Sequence, residues 1–240
     1  MIESFAALLF AHVLADFVFQ TNRMASGKDQ RHRDALAAHL LAVGALAVIA
    51  LGQPAPVLAG LAFVHLAIDL LKPALPGRGL GPYLADQALH LATLVALAWW
   101  MPGLWASSLW AGQDWLPGLM ALVAGAILAT RAGGFAVGFL MRPWANVRLP
   151  RGLPNGGKLI GLLERGVIFT LVLVGQPAGI GFLIAAKSVL RFETTSRDTR
   201  AGEYVIVGTL ASFGWALIVA YATRALMAAL PPLGILPFSP

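Results

Sequence analysis

The stretch SFAALLFAHVLADFVFQ, residues 4–20, is an apolar run that also contains His12 and Asp16. A helix that crosses a bilayer needs about 20 mostly apolar residues, and fewer where polar side chains are buried in a bundle. The stretch has no basic start and no small-residue cleavage motif, and Glu3 precedes it, which argues against a cleaved signal peptide. We therefore expect it to be retained as the first membrane helix.

Seven further apolar runs follow along the chain, separated by short segments that contain Gly and Pro. They predict helices over residues 35–52, 57–71, 83–101, 116–131, 159–174, 178–191 and 203–229. The fifth helix ends at Thr130 or continues past Arg131 as far as residue 141. The expected fold class is all-α, a polytopic transmembrane helical bundle of about eight helices. We expect a four-helix His/Asp membrane domain over residues 1–101 and a C-terminal four-helix membrane region over 102–240.

The amino-acid composition independently indicates a membrane protein. The chain is 58% apolar and 12% charged, whereas about a quarter of the residues of a soluble domain are charged. It contains no cysteine, which excludes disulfides, a thiolate zinc site and a cysteine nucleophile. The net charge of +6 is typical of basic cytoplasmic loops, so the lipid bilayer is the expected partner and no nucleic acid is expected.

The basic residues predict the orientation of these helices. Fifteen of the 17 Lys and Arg residues lie in alternate segments, at 21–34, 72–82, 131–158 and 187–200. The connections between them, at 53–56, 102–115 and 175–179, contain no Lys or Arg. Because cytoplasmic loops carry the excess of Lys and Arg, we expect the basic segments in the cytoplasm and both termini outside.

Six His and Asp residues in the first half of the chain form three pairs with a spacing of four residues. Residues four apart lie on one face of a helix, so each pair presents an imidazole and a carboxylate together. A further histidine, His39, lies near the start of the second predicted helix. The pairs are His12/Asp16, His65/Asp69 and Asp86/His90.

The order of the residues within each pair predicts a common depth in the membrane. The first and third helices read His then Asp, and the fourth, which runs the opposite way, reads Asp then His. All three Asp residues therefore lie nearer the cytoplasm, and the paired His residues lie about 6 Å deeper. His39 falls at a similar level. We expect all seven side chains in one layer, open to the cytoplasmic side.

Neutral imidazole and carboxylate groups are ligands for Zn²⁺, Mn²⁺ or Fe²⁺, so this layer predicts a divalent metal site. Seven groups suit two ions, or one ion whose histidine ligands are oriented by carboxylates. Asp16 or Asp86 is a candidate catalytic base. Two other interpretations stay open, because His and Asp also line ion or proton pathways and also hold helices together. His32 lies among loop charges and is outside the predicted site.

The second half of the chain carries basic residues near predicted helix ends. Arg165, Lys187 and Arg191 either anchor the helices at the membrane surface or bind the anionic head group of a lipid substrate. The second interpretation predicts a lipid phosphate held against metals in the first half.

Three motifs, HVLADFVFQ at 12–20, HLAIDLLK at 65–72 and DQALH at 86–90, together resemble a bacterial multi-pass membrane family called domain of unknown function 3307. The resemblance covers about the first 95 residues and implies the bacterial inner membrane. A looser similarity to LexA-binding inner-membrane hydrolases implies metal-dependent hydrolysis and assigns no residue.

Our hypothesis from the sequence is a metal-dependent hydrolase or transferase of the bacterial inner membrane. Its substrate would be lipid-linked and phosphorylated, and would be reached from the cytoplasmic side. The first alternative is a divalent-cation or proton transporter that uses the same His/Asp residues. The second is a non-catalytic membrane scaffold in which these residues hold helices together.

Overall fold

The computed structural model describes residues 1–30, 32–72, 77, 79–147, 153–195 and 199–233. The side chains of residues 29 and 190–195 are not part of this description, so the predicted role of Arg191 lies outside it.

Over the described ranges every regular element is helical, which confirms the all-α fold class. The helices are α1 (Ile2–Leu14), α2 (Asn22–Asp29), α3 (Arg33–Leu51), α4 (Pro56–Leu71), α5 (Leu80–Trp100), α6 (Leu116–Ile127), α7 (Gly133–Met141), α8 (Gly156–Leu173), α9 (Ala178–Thr195) and α10 (Thr199–Ala228). A π-helical turn, Ala15–Phe19, extends α1, and a second one, Leu128–Ala132, joins α6 to α7. The fifth predicted helix therefore continues past Arg131.

The short helix α2 corrects the sequence interpretation, which treated residues 21–34 as a loop. Its residues are too polar for the hydrophobic pattern that reveals a helix. Thr21 caps its N-terminus, because the Thr21 hydroxyl accepts a hydrogen bond of 3.2 Å from the Met24 amide. Packing against α3 then stabilises a helix that is too short to form alone.

Several helical segments are long and apolar enough to cross a membrane. Four reach that length in the described part of the chain: Ile2–Phe19, Arg33–Leu51, Leu116–Trp144 and Thr199–Ala228. Large apolar side chains point outward from the helices, including Leu41, Phe63 and Phe182, which are 73%, 70% and 79% exposed. Exposed apolar surface on this scale suits lipid rather than water. These features support a membrane protein.

The described residues group into two compact units. The first comprises Met1–Ala124 with residues 225–233, and the second comprises Gly125–Arg224. The predicted division at residue 101 remains a prediction.

The first unit contains a ring of four helices. Helix α1 packs on α3 and α5, and α4 packs on both α3 and α5. Small residues at the contacts, including Ala11, Ala47 and Ala98, allow the backbones to approach closely. The ring encloses the His/Asp residues of all four helices.

The second unit is held together around its π-helical turn. The Arg165 guanidinium donates hydrogen bonds to the Thr130 carbonyl and to the Ser212 hydroxyl, at 2.8–3.1 Å. The Trp215 indole donates to the Leu128 carbonyl at 2.9 Å. A π-helical turn disturbs the regular backbone ladder, and these side chains satisfy carbonyls of that turn.

Candidate metal centre

The four-helix ring of the first unit brings all seven predicted His and Asp residues into one buried cluster. The exposed fraction of each of the four histidines is between 1% and 7%. The three carboxylate side chains are 2–8% exposed. The cluster consists of His12 and Asp16 from α1 and its π-helical turn, His39 from α3, His65 and Asp69 from α4, and Asp86 and His90 from α5. Their chemical roles remain predictions.

Asp16 lies in the π-helical turn Ala15–Phe19. Such turns are rare and occur often at functional sites, because the extra residue changes the direction of the side chains that follow. Here the Asp16 Oδ1 atom lies 4.0 Å from His12 Nδ1 on its own helix. It also lies near histidines of two other helices. Nothing in the hydrophobic pattern distinguishes this turn from ordinary α-helix.

The centre of the cluster is a pair of imidazoles flanked by two carboxylates. The Nε2 atoms of His39 and His65 lie 3.0 Å apart. Asp16 Oδ1 is 3.4 Å from His39 Nε2 and 3.6 Å from His65 Nε2. Asp69 Oδ2 is 3.5 Å and 3.6 Å from the same two atoms. Each carboxylate therefore forms a triangle with the two imidazole nitrogens.

The carboxylate–imidazole sides of these triangles, 3.4–3.6 Å, have the length that a bound metal ion requires, and the 3.0 Å side between the two imidazoles is slightly shorter. Zinc bonds to nitrogen and oxygen of about 2.0–2.2 Å in tetrahedral geometry separate the ligand atoms by roughly 3.3–3.6 Å. Three triads have ligand atoms within 4.8 Å of one another: His12/Asp16/His65, His39/His65/Asp69 and Asp69/Asp86/His90. These buried groups could hold a metal ion.

Several polar atoms of the cluster are buried without a hydrogen-bond partner. They include His12 Nδ1, Asp16 Oδ1, Asp86 Oδ1 and His90 Nε2. Each buried polar group left unpaired costs about 1–3 kcal/mol, and more when it is charged. Asp16 Oδ1 accepts no hydrogen bond even though three imidazole nitrogens lie within 4.0 Å of it. A cation bound among these atoms would offset that cost, so the residues present fit a metal.

Two lysines extend the cluster beyond what the sequence predicted. Lys28 Nζ lies 2.7 Å from Asp69 Oδ2, and Lys72 Nζ lies 2.9 Å from Asp86 Oδ2. Lys28 is only 8% exposed. Sequence analysis counted both among the basic residues of the cytoplasmic segments and did not predict their contact with the cluster. Lys72 stands three residues after Asp69, a spacing that could have revealed it, whereas the position of Lys28 depends on the docking of α2.

The ion pair with Asp86 affects the acidity of Lys72, which directly follows the last residue of α4. Burial disfavours the charged ammonium, but the Asp86 carboxylate more than offsets this and raises the pKa of Lys72 above its ordinary value. Lys72 therefore stays charged at neutral pH.

Two of the predicted head-group residues, Arg165 and Lys187, lie in the second unit and have contacts of their own. Arg165 is bound to Thr130 and Ser212, as described above. Lys187 Nζ lies 2.7 Å from Glu164 Oε2 and over the ring of Phe213, 5.2 Å from its centroid. These contacts suit anchoring residues, and a role in binding a head group remains a prediction.

Comparison with known proteins finds a family match in the first half of the chain. Residues 4–115 match the model of the family described as "Protein of unknown function (DUF3307)". No curated protein and no solved structure matches the chain. The looser similarity to LexA-binding hydrolases is therefore still only a prediction. The matched residues, a little less than half of the chain, include the whole His/Asp cluster and both lysines, and the match supports the resemblance to the DUF3307 family that the three motifs carry.

Proposed function

We propose that this protein is a metal-dependent hydrolase or transferase of the bacterial inner membrane. It would act on a lipid-linked, phosphorylated substrate from the cytoplasmic side. The observation that carries the proposal is the environment of Asp16 Oδ1, a buried carboxylate oxygen without a hydrogen-bond partner that faces the nitrogens of three histidines. Carboxylate and imidazole donors suit Zn²⁺, Mn²⁺ or Fe²⁺.

The contacts of the three carboxylates suggest different roles for them. Asp69 and Asp86 each have an ammonium partner, whereas the neighbours of Asp16 are imidazoles. Asp16 is therefore the best metal ligand of the three. Asp86 Oδ1 is buried, accepts no hydrogen bond and lies 3.8 Å from His90 Nδ1. That free oxygen is the better candidate for a general base, because it can accept a proton without leaving an existing partner.

A divalent ion held here would polarise the bond to be broken and lower the pKa of bound water, which is the chemistry of hydrolysis. The side chains and helices of the protein supply the other requirements of hydrolysis. The helices around the cluster exclude bulk water. The histidines hold their positions by packing against one another, with ring centroids 4.2–5.6 Å apart. Asp86 can take up a proton.

The positions of lysines and tryptophans in the first unit support access of the substrate to the metal centre from the cytoplasm. Lys28 and Lys72, which contact the cluster, lie in the basic segments 21–34 and 72–82. The opposite end of α5 carries Trp99 and Trp100, which are 76% and 74% exposed. Exposed tryptophans are typical of a membrane interface, and basic residues are typical of the cytoplasmic side. Together with the eight apolar runs, this supports eight spans with both termini outside.

Metal content tests the proposal most directly. The protein, purified in detergent without chelator, is expected to contain stoichiometric divalent metal by elemental mass spectrometry, and His65→Ala and Asp69→Ala to contain less. His32→Ala is the matched control, because His32 is exposed and outside the cluster. Wild-type protein that neither carries nor takes up metal would contradict the proposal.

Liposome reconstitution separates the enzyme from a transporter that uses the same residues. Vesicles that contain a metal-sensitive or pH-sensitive dye are expected to show no protein-dependent flux. Flux that disappears in His90→Ala would favour transport instead. Metal binding without flux, and without hydrolysis of any phospholipid or lipid diphosphate, would favour the scaffold.

The orientation can be tested by cysteine labelling, because the chain has no native cysteine. Ser107 and Ser26 are both exposed and lie in segments assigned to opposite sides. A membrane-impermeant maleimide added to intact spheroplasts should label Ser107→Cys and should label Ser26→Cys only after lysis. The reverse pattern would invert the topology.

A further inference from the structure

We propose that Lys28 and Lys72 take the place of a second metal ion, so that the loaded centre holds one divalent cation and binds one phosphate group of its ligand. The inference rests on the proposed function and specifies the charge of the ligand. It comes from the two ion pairs, Lys28–Asp69 at 2.7 Å and Lys72–Asp86 at 2.9 Å.

The structure builds Lys28 into the site through α2. This helix packs against α3 so closely that a Cβ atom added to Gly27 would lie 2.5 Å from the Cβ of Ala35. The close approach buries Lys28, the next residue, although the helix is mostly exposed. A buried ammonium costs free energy unless it is paired, and the Asp69 carboxylate provides that pair inside the cluster.

The charge of the cluster limits how many metal ions it can hold. Its three carboxylates and two ammonium groups give a net charge of −1 when the imidazoles are neutral, as metal ligands must be. One divalent ion brings the net charge to +1, and two would bring it to +3. Excess charge of one sign is unfavourable where water is excluded, so one metal ion is favoured over two.

A centre with a charge of +1 attracts one anion. Lysine ammonium groups and a divalent ion are the usual ligands of a phosphate group, and both lysines lie within 3 Å of carboxylates of the cluster. A neutral ligand would leave the positive charge uncompensated. The site therefore favours an anionic ligand, and its ammonium groups suit a phosphate group, the substrate class of the proposed function.

The first measurement is the number of metal ions. Chelator-treated protein is reloaded with Mn²⁺ or Zn²⁺, freed of excess metal and weighed by native mass spectrometry. One ion per chain is expected. Two ions per chain would overturn this inference and leave the proposed function standing, whereas no ion would overturn both.

The second measurement is the binding of inorganic phosphate. It is made by isothermal titration calorimetry on metal-loaded and on metal-free protein. Phosphate is expected to bind only to the loaded form. Lys28→Met should lower its affinity by about tenfold or more, because it removes one charged hydrogen-bond donor. Lys28→Arg keeps the charge and should retain most of the affinity. Arg23→Met is the matched control, because Arg23 is on the same helix with its side chain 89% exposed.

Unchanged phosphate affinity in metal-loaded Lys28→Met, or binding that does not need metal, would overturn the inference. If Lys28→Met does not fold, Lys72→Met provides the same test, because the Lys72 side chain is 37% exposed and can be replaced with less effect on the core. Phosphate affinity equal to that of wild type in Lys72→Met would then overturn it.

Discussion

The Nε2 atoms of His39 and His65 face each other at 3.0 Å, although the two residues are 26 positions apart and lie on different helices. At this distance one imidazole can donate an N–H hydrogen bond to the other, or both nitrogens can bind one cation. The second arrangement also accommodates Asp16 Oδ1, which is within 3.6 Å of both nitrogens. The pair is therefore the core of the candidate centre.

A shared ion predicts that the two histidines act as a unit. His39→Ala and His65→Ala should each lower metal affinity by about 100-fold or more, and the double variant should lose little beyond either single variant, because the same ion is already lost. Competition with a fluorescent zinc chelator measures the affinities. Multiplicative losses in the double variant would show that the histidines bind independently.

Asp16→Asn and Asp69→Asn should have opposite effects on the metal-free protein. Asp16→Asn removes a buried charge whose neighbours are imidazoles, so stability should be unchanged or higher while metal binding is lost. Asp69→Asn leaves the Lys28 ammonium buried beside an amide and should lower stability by about 3–5 kcal/mol. Unfolding is followed in detergent with chelator by the fluorescence of the seven tryptophans. Equal losses in both variants would refute the different roles assigned to the carboxylates.

Gly27→Ala should detach α2 from α3. The new methyl group would lie 2.5 Å from Ala35 Cβ, which is held by its own helix, so α2 must move away. Hydrogen exchange of the amides in Asn22–Asp29 should accelerate by about tenfold or more. Gly44→Ala, in the middle of α3, meets no atom within 4 Å and should leave this exchange unchanged. Unaltered exchange in Gly27→Ala would mean that α2 is not closely docked.

Two glycines of α7 should respond to alanine with opposite signs. At Gly133 the added Cβ would lie 2.6 Å from Trp215 Cδ1, which disturbs the contacts of Trp215 and Arg165 with the π-helical turn. Overpacking of this kind costs about 1–3 kcal/mol. Gly138→Ala meets nothing within 4 Å and should stabilise by up to about 1 kcal/mol. Thermal unfolding of the two variants in one detergent compares them, and similar shifts would contradict this packing.

The pairing of His12 with Asp16 and of His65 with Asp69 could be predicted from the sequence, because residues four apart lie on one face of any α-helix. That the pairs meet in one cluster could also be predicted, since consecutive helices that alternate in direction bring them to the same level. The position of Lys28 could not. It depends on a polar helix that no hydrophobic pattern indicates and on a contact between Gly27 and α3.

By itself, the sequence determined that this chain is helical and apolar enough for a membrane, that its first half resembles the DUF3307 family, and which seven His and Asp residues come together. Only the tertiary structure decided which of them touch. It placed His39 against His65, left Asp16 among imidazoles and gave Asp69 and Asp86 their lysines. The physical reason is that helical periodicity sets the face and depth of a side chain. Its neighbours depend on how the helices are rotated and packed against one another, and here also on a π-helical turn in α1.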